Sequence, residues 1–445
     1  MYTRRMSSFI KHRELRPFSP LDIGLSCVFL GLIIAIWYVG DFHTFHHGDT
    51  AIFTLSSLYR WTVFAWEYDH IGSLLPLLVS FIRRPYWNLM ALTALNSFAF
   101  LSGLTLWGSL LSLRKTALAE ISLWVSCLIP LVMPKIKIFN NAAHNFPWGL
   151  GLFFAGLFTY RLLQYLETKR PGAMAASALA LFLLAFLTIY VSAISLIPLL
   201  IITPGLIWKA TGSTIKLAPF GRGRSDGNSW LAKIYTDTAR FYVVPVVCIA
   251  LALLAYRILE HSAEFRTDLA LDFANTPMTL PRLLWKWGQQ ELTTPLVLLI
   301  ALPALFFALH ARRKNSLFTY FAIGVILEIL IVSSSTRTVY AQYPSIYLTD
   351  LTFLILLSLV TSLAYFTPLI LSTAARLGAL VAIVFISLYV NIREWNSFLP
   401  VNPFTAMEQT MSANTPAIVE AKCDLLIGDY WKVWPTVLAA NDYYY

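Results

Sequence analysis

The sequence predicts an all-helical integral membrane protein, with about 11 transmembrane helices and juxtamembrane helices lying in the interface within its first external loop. Three observations predict this class. Hydrophobic side chains make up 58% of the 445 residues and charged ones only 13%, where soluble chains carry nearer a quarter charged. Apolar windows of membrane-crossing length recur along the whole chain. Lys and Arg collect in alternate loops.

A window of about 20 apolar residues crosses the roughly 30 Å hydrocarbon layer. Such windows fall at 21–40, 88–111, 117–134, 147–165, 173–190, 191–208, 241–258, 292–310, 317–334, 347–368 and 374–391, with Pro198 and Pro204 interrupting the sixth. The tail before the first window carries Arg4, Arg5, Lys11, Arg13 and Arg16, and positive segments stay cytoplasmic. With the N-terminus inside, Arg114–Lys115, Lys169–Arg170, the basic loop 209–240 and Arg312–Arg313–Lys314 are cytoplasmic too. The C-terminus is then extracytoplasmic. The first window has no small-residue cleavage site after it and reads as a retained signal-anchor.

The net charge of +10 describes this topology and contact with anionic membrane lipids. It does not indicate a nucleic-acid partner, because no basic domain interleaved with aromatics is present. Cys27, Cys127 and Cys248 fall within predicted spans and only Cys423 lies outside, so no disulfide framework or paired-cysteine metal site is expected. The cytoplasmic loop 209–240 is rich in Gly, Ser and positive charge and reads as a connector. Its glycines form no phosphate-binding fingerprint.

A transmembrane region over 1–391 thus carries external segments at 41–86 and 259–291, followed by an external tail, 392–445. Within 41–86 two interfacial helices are expected. Thr50 to Trp66, with Phe53, Leu58, Trp61, Phe64 and Trp66, is too aromatic for a soluble surface helix and too polar for a span. Ile71 to Ile82 is apolar and stops at Arg83–Arg84–Pro85. In the tail, "CDLLIGDYWKVWP" alternates like a short strand before an aromatic turn, a packing cap whose Tyr430 and Trp431 also offer flat faces to sugar rings.

Ionisable residues crowd the first external loop, with "GDT" at 48–50 and "YDHIGSLLP" at 68–76. A first span, an acidic residue a few positions beyond it and two juxtamembrane helices before the second span resemble the GT-C superfamily. Its members are multi-span glycosyltransferases that use lipid-phosphate sugars, among them protein mannosyltransferases and aminoarabinose transferases. Asp49 stands at the family's first acidic position, whereas Thr50 replaces its second, and no proline follows His70 until Pro76. The local likeness covers about the first hundred residues.

The resemblance implies transfer of a sugar from a polyprenyl-phosphate donor to a hydroxyl on a glycan, lipid or protein at the extracytoplasmic face. The setting expected is a bacterial plasma membrane. Asp49 is the candidate catalytic base, since a carboxylate that accepts the acceptor's proton contributes about 10²–10⁴-fold. A carboxylate ahead of a helical run also serves as an N-cap. Glu67, Asp69 and His70 offer either a solvated helix end, an acceptor-hydroxyl site or, with His46 or His47, a divalent-cation site. The departing phosphate calls for fixed cations. Arg337, in the polar turn "SSSTRTVYAQYPSIY", is the first candidate, with Lys135, Lys137, Arg282, Lys286, Arg83 and Arg84 beside it; contact with ordinary headgroups is the competing use. Glu328 interrupts "AIGVILEILIV" at a depth where a carboxylate suggests function, but the sequence names no partner for it.

Two rivals follow from the same features. A polysaccharide polymerase or ligase also takes polyprenyl-linked substrates but relies on an external Arg and His instead of Asp49. A transporter or flippase is favoured by Glu328 and by the proline-broken window.

Overall fold

The computed structural model describes residues 19–41, 48–59, 64–65, 68–112, 116–133, 148–168, 170–187, 272–290, 296–310, 316–335, 348–370, 415–421 and 430–443, with isolated positions elsewhere. These residues are overwhelmingly helical. The first helices are α1 (Pro20–Asp41), α2 (Gly48–Leu58), α3 (Leu74–Val79), α4 (Pro85–Leu111), α5 (Leu118–Val132), α6 (Trp148–Thr168) and α7 (Pro171–Leu187). After them come α8 (Thr276–Gln290), α9 (Leu296–His310), α10 (Ser316–Ser334), α11 (Thr349–Ile370), α12 (Thr415–Glu420) and α13 (Tyr430–Tyr443). One antiparallel hairpin, β1 (Phe64–Ala65) with β2 (Tyr68–Gly72), lies between α2 and α3.

Eight of the eleven expected windows coincide with a described helix: α1, α4, α5, α6, α7, α9, α10 and α11. Among the described residues, Pro85–Leu111, Leu317–Ser334 and Thr349–Thr367 are both long and apolar enough to cross a bilayer. The windows at 191–208, 241–258 and 374–391 lie outside the continuously described residues, as do the loop 209–240 and residues 259–271.

The bundle is organised around α4. That helix starts where Arg84 is held extended and Pro85 occupies the first turn, a position whose missing N–H is not needed. Phe100 of α4 meets Phe353 of α11 at 5.6 Å between ring centroids, and a Cβ at Gly108 would lie 3.4 Å from Val360. The two helices therefore run in the same direction. Trp107, near the end of α4, meets Phe321, near the start of α10, at 5.1 Å, so α10 runs the opposite way.

In lipid, helices gain little by exchanging one apolar contact for another, so close backbone approach carries the packing. A Cβ at Gly103 would come within 2.8 Å of the Phe153 N, and one at Gly149 within 2.6 Å of the Asn96 carbonyl oxygen. Both sites bring α6 against α4 with no room for a methyl. Gly149→Ala is expected to lower stability by about 1–3 kcal/mol through overpacking, read as a drop in the unfolding midpoint of the purified protein.

At the opposite end, the Asp22 carboxylate accepts from the Leu118 and Ala119 N–H groups, both at 2.9 Å. A carboxylate here meets two unsatisfied donors and the positive end of the α5 dipole. It also fixes α1 and α5 with their N-termini on one face of the bundle. Asp22→Ala is expected to cost about 1–2 kcal/mol by loss of this cap, again read from thermal unfolding.

The first loop departs from expectation in three ways. The helix expected over Thr50–Trp66 ends at Leu58, and its residues from Thr50 to Leu58 are all buried. It does not present an apolar face to the outside of the bundle. It is an internal helix enclosed by α4, α3 and α13. Where the helix was expected to continue, Phe64–Ala65 pairs with Tyr68–Gly72 as strands. The second helix shortens from Ile71–Ile82 to Leu74–Val79, followed by a turn; Leu77, Leu78 and Phe81 nevertheless expose apolar side chains.

The tail is also corrected. The aromatic turn expected from Tyr430 is helical instead, because α13 presents Leu438 and Ala439 to Ala51, Leu55 and Leu58 of α2 and to Tyr86 and Leu89 of α4, while the short strand expected before it lies outside the described residues. Tyr59 donates its hydroxyl to Asn441 Oδ1 at the rim of this contact. The described end of the tail packs over α2 and α4 as a helix.

Candidate functional site

α4 and α11 start, and α10 ends, at the end of the bundle that carries the first loop. α8 covers this end as well. Its 3-10 lead-in, Phe273–Asn275, is capped by the Asp272 carboxylate, which accepts from the Ala274 N–H at 3.1 Å and from Asn275 Nδ2 at 2.6 Å. The Asp272 N–H donates to the Ser334 carbonyl at the end of α10, at 2.7 Å. Further along, the Trp287 indole N–H donates to Thr352 Oγ1 at 2.9 Å. Thr279, Leu283 and Trp287 form the buried stripe of α8 at spacings of four, while Met278, Leu284 and Trp285 are exposed. An amphipathic helix with this pattern lies across helix ends.

Three elements of the first loop meet beneath the α13 cover. Thr54 and Ser56 of α2 return their hydroxyls to the carbonyls of Thr50 and Phe53, both at 2.9 Å, which lets a polar helix sit inside. Asn88 Nδ2 donates to Ser57 Oγ (2.8 Å), the Val79 carbonyl (3.0 Å) and the Ile82 carbonyl (2.8 Å). One amide thus ties α2, α3 and the following turn to α4. Arg83 Nη1 donates to the Leu58 carbonyl at 3.1 Å and closes the last turn of α2.

Asp49, the expected base, is the second residue of α2. It falls in the first helical turn and not ahead of it, so the backbone does not place it as the N-cap before Thr50. α2 also packs against β1. Asp69 and His70 lie on β2 and do not end the first helix, as had been expected. The alternation that puts them there is visible in Phe64, Trp66, Tyr68 and His70. Glu67, His46 and His47 lie outside the described residues, as do Lys135, Lys137 and Arg337.

Of the cations expected to hold phosphate, Arg83 is exposed and occupied with the end of α2, and Arg84 immediately precedes α4. Arg282 and Lys286 both sit on α8, exposed and half-buried respectively, one helical turn apart. Among the described residues no three His, Cys, Asp or Glu side chains come together as a metal cluster.

The structure adds a pair that the sequence did not join. Glu328 is 1% exposed in α10 and Asp350 is 7% exposed in the first turn of α11, with the two carboxyls side by side. Phe321, Val325 and Glu328 occupy one face of α10, the face that meets α4. Glu328 is six residues before the end of α10, which is about 9 Å at 1.5 Å per residue. Asp350 carried a signal in the sequence, an acid inside the window 347–368. Asn88 gave a weaker one, an amide at the edge of an apolar run.

No known protein family, characterised protein or solved structure matches this chain.

Proposed function

We propose that this protein is a membrane glycosyltransferase that moves a sugar from a polyprenyl-phosphate donor to a hydroxyl acceptor at the extracytoplasmic surface. The observation that supports this reading is the placement at one end of the bundle of α2, which carries Asp49, of the hairpin strand beside it, which carries Asp69 and His70, and of α8, which carries Arg282 and Lys286 and lies over the end of α10 and the start of α11. Acid–base groups and cations collected at the end of an apolar bundle suit a reaction between a lipid-borne donor and a polar acceptor. The N-terminus would lie in the cytoplasm and the C-terminal tail outside, in a bacterial plasma membrane.

In this reaction the acceptor oxygen forms its bond to the anomeric carbon while the bond from that carbon to the phosphate oxygen breaks. The electron pair leaves with the prenyl phosphate. Asp49 takes the acceptor proton, which raises the nucleophilicity of an otherwise poor alcohol. Arg282 and Lys286 neutralise charge growing on the phosphate, where low dielectric strengthens the attraction. The acceptor is a glycan, a lipid or a protein. A divalent cation held with His46 or His47 would add a further positive centre; no step depends on it.

The test is transfer by the purified full-length protein in lipid nanodiscs, supplied with radiolabelled synthetic polyprenyl-phosphate sugars and a panel of acceptor alcohols. Release of prenyl phosphate together with labelled product supports the proposal. A donor left intact across the panel overturns it and favours the second reading, a carrier or flippase, to which the buried Glu328–Asp350 pair lends support.

A further inference from the structure

Glu328 is the acid hardest to explain by packing alone. Both of its carboxyl oxygens are buried, and no N–H or hydroxyl group donates to either; the group facing them is the Asp350 carboxyl. The hydroxyls nearest in sequence are already committed: Ser333 returns its own to the Leu330 carbonyl and Ser334 to the Ile331 carbonyl, both at 2.9 Å. Buried polar groups without partners are costly, and an uncompensated charge in a membrane interior more so. The other group at hand is a second carboxyl, Asp350.

Among the described residues, the helices packed around the pair carry few charged side chains. α4 contains no charged residue, and α9 has only His310, at the end remote from Ser334. α11 brings Asp350 itself. The Asp272 carboxylate is held by its own turn. On α8, Arg282 is exposed and Lys286 half-buried, off the Thr279–Leu283–Trp287 stripe that is buried. Two buried carboxyls that face each other, with no N–H or hydroxyl donor on either Glu328 oxygen, form a site for a cation.

We propose that Glu328 and Asp350 hold one positive charge, a proton or an alkali-metal ion, inside the membrane region at the junction of α4, α10 and α11. The two oxygens of Glu328 and those of Asp350 form the anionic part of the site. Either cation removes the repulsion between the carboxyls, and hard oxygen ligands suit an alkali ion as well as a proton. This site uses none of the residues proposed for sugar transfer and stands or falls independently of them.

The experiment uses the full chain in nanodiscs. Thermal unfolding is followed in sodium chloride against choline chloride at equal ionic strength, and infrared difference spectra are recorded across a pH titration. An alkali-ion site gives a rise of a few degrees in sodium and none in choline, because a ligand bound only by the folded state stabilises it. Sodium affinity then falls at least about tenfold in Glu328→Gln and in Asp350→Asn. A proton site gives no sodium effect but a titrating carboxyl band that is missing in Glu328→Gln. Glu328→Leu provides a second variant, since an apolar side chain in place of a buried charge is commonly tolerated. Absence of both the sodium-specific shift and a Glu328-dependent band overturns the proposal.

Discussion

Asp49→Asn is expected to lower sugar transfer by roughly 10²–10⁴-fold, the usual contribution of a positioned general base, while leaving the unfolding midpoint close to that of the unaltered protein. Asparagine keeps the size of the side chain and its ability to accept a hydrogen bond, so the first turn of α2 survives. It cannot take a proton from an alcohol. The loss should therefore appear in kcat, with the KM for the lipid donor little changed, because an interaction made in the transition state is removed. Asp69→Asn, on the hairpin strand, provides the comparison: an acceptor-binding role raises KM instead. Activity of Asp49→Asn near that of the unaltered protein would sink the general-base role and favour the polymerase or ligase rival, in which an external Arg and His carry the chemistry.

The spans were legible because twenty-residue apolar runs have few alternative fates. α4, α10 and α11 fall within a few residues of the windows that announce them, 88–111, 317–334 and 347–368. What the windows did not disclose was pairing. Glu328 and Asp350 each stand out as acids in apolar context, but 22 positions of sequence and a reversal of chain direction separate them. Only the packing of α10 on α11 makes them neighbours. The first loop misled for a different reason. Counting aromatics between Thr50 and Trp66 suggests a lipid-facing helix, whereas the same residues serve two elements, an internal helix and a strand. Nothing in residues 50–58 reveals that α13, some 370 positions later, covers them. The basic residues were legible as cations but not as to use: Arg83 closes a helix, and the sequence had offered it to phosphate or headgroups.

Asn88 carries the second large effect. Its amide is fully buried, and its two hydrogens are shared among Ser57 Oγ and the Val79 and Ile82 carbonyls. Val79 retains a donor in the Ile82 N–H, but the Ser57 hydroxyl and the Ile82 carbonyl lose the one that Asn88 supplies. Each buried group left unsatisfied costs about 1–3 kcal/mol, so Asn88→Ala is expected to destabilise by roughly 2–4 kcal/mol. Asn88→Asp separates hydrogen bonding from volume. It fills the same space, yet an ionised carboxylate facing these oxygens has no hydrogen to give, so its destabilisation should equal or exceed that of Asn88→Ala. An effect confined to Asn88→Ala would assign the cost to the cavity alone. Because Asn88 ties α2 and α3 to α4, the loosening should be local before it is global. Limited proteolysis is expected to cut between α2 and α4 faster in both variants, and transfer should fall with it, since the helix that carries Asp49 would no longer be held in place. A variant that loses the midpoint but keeps both protease resistance and activity would show that the loop is secured by α13 and Arg83 without this amide.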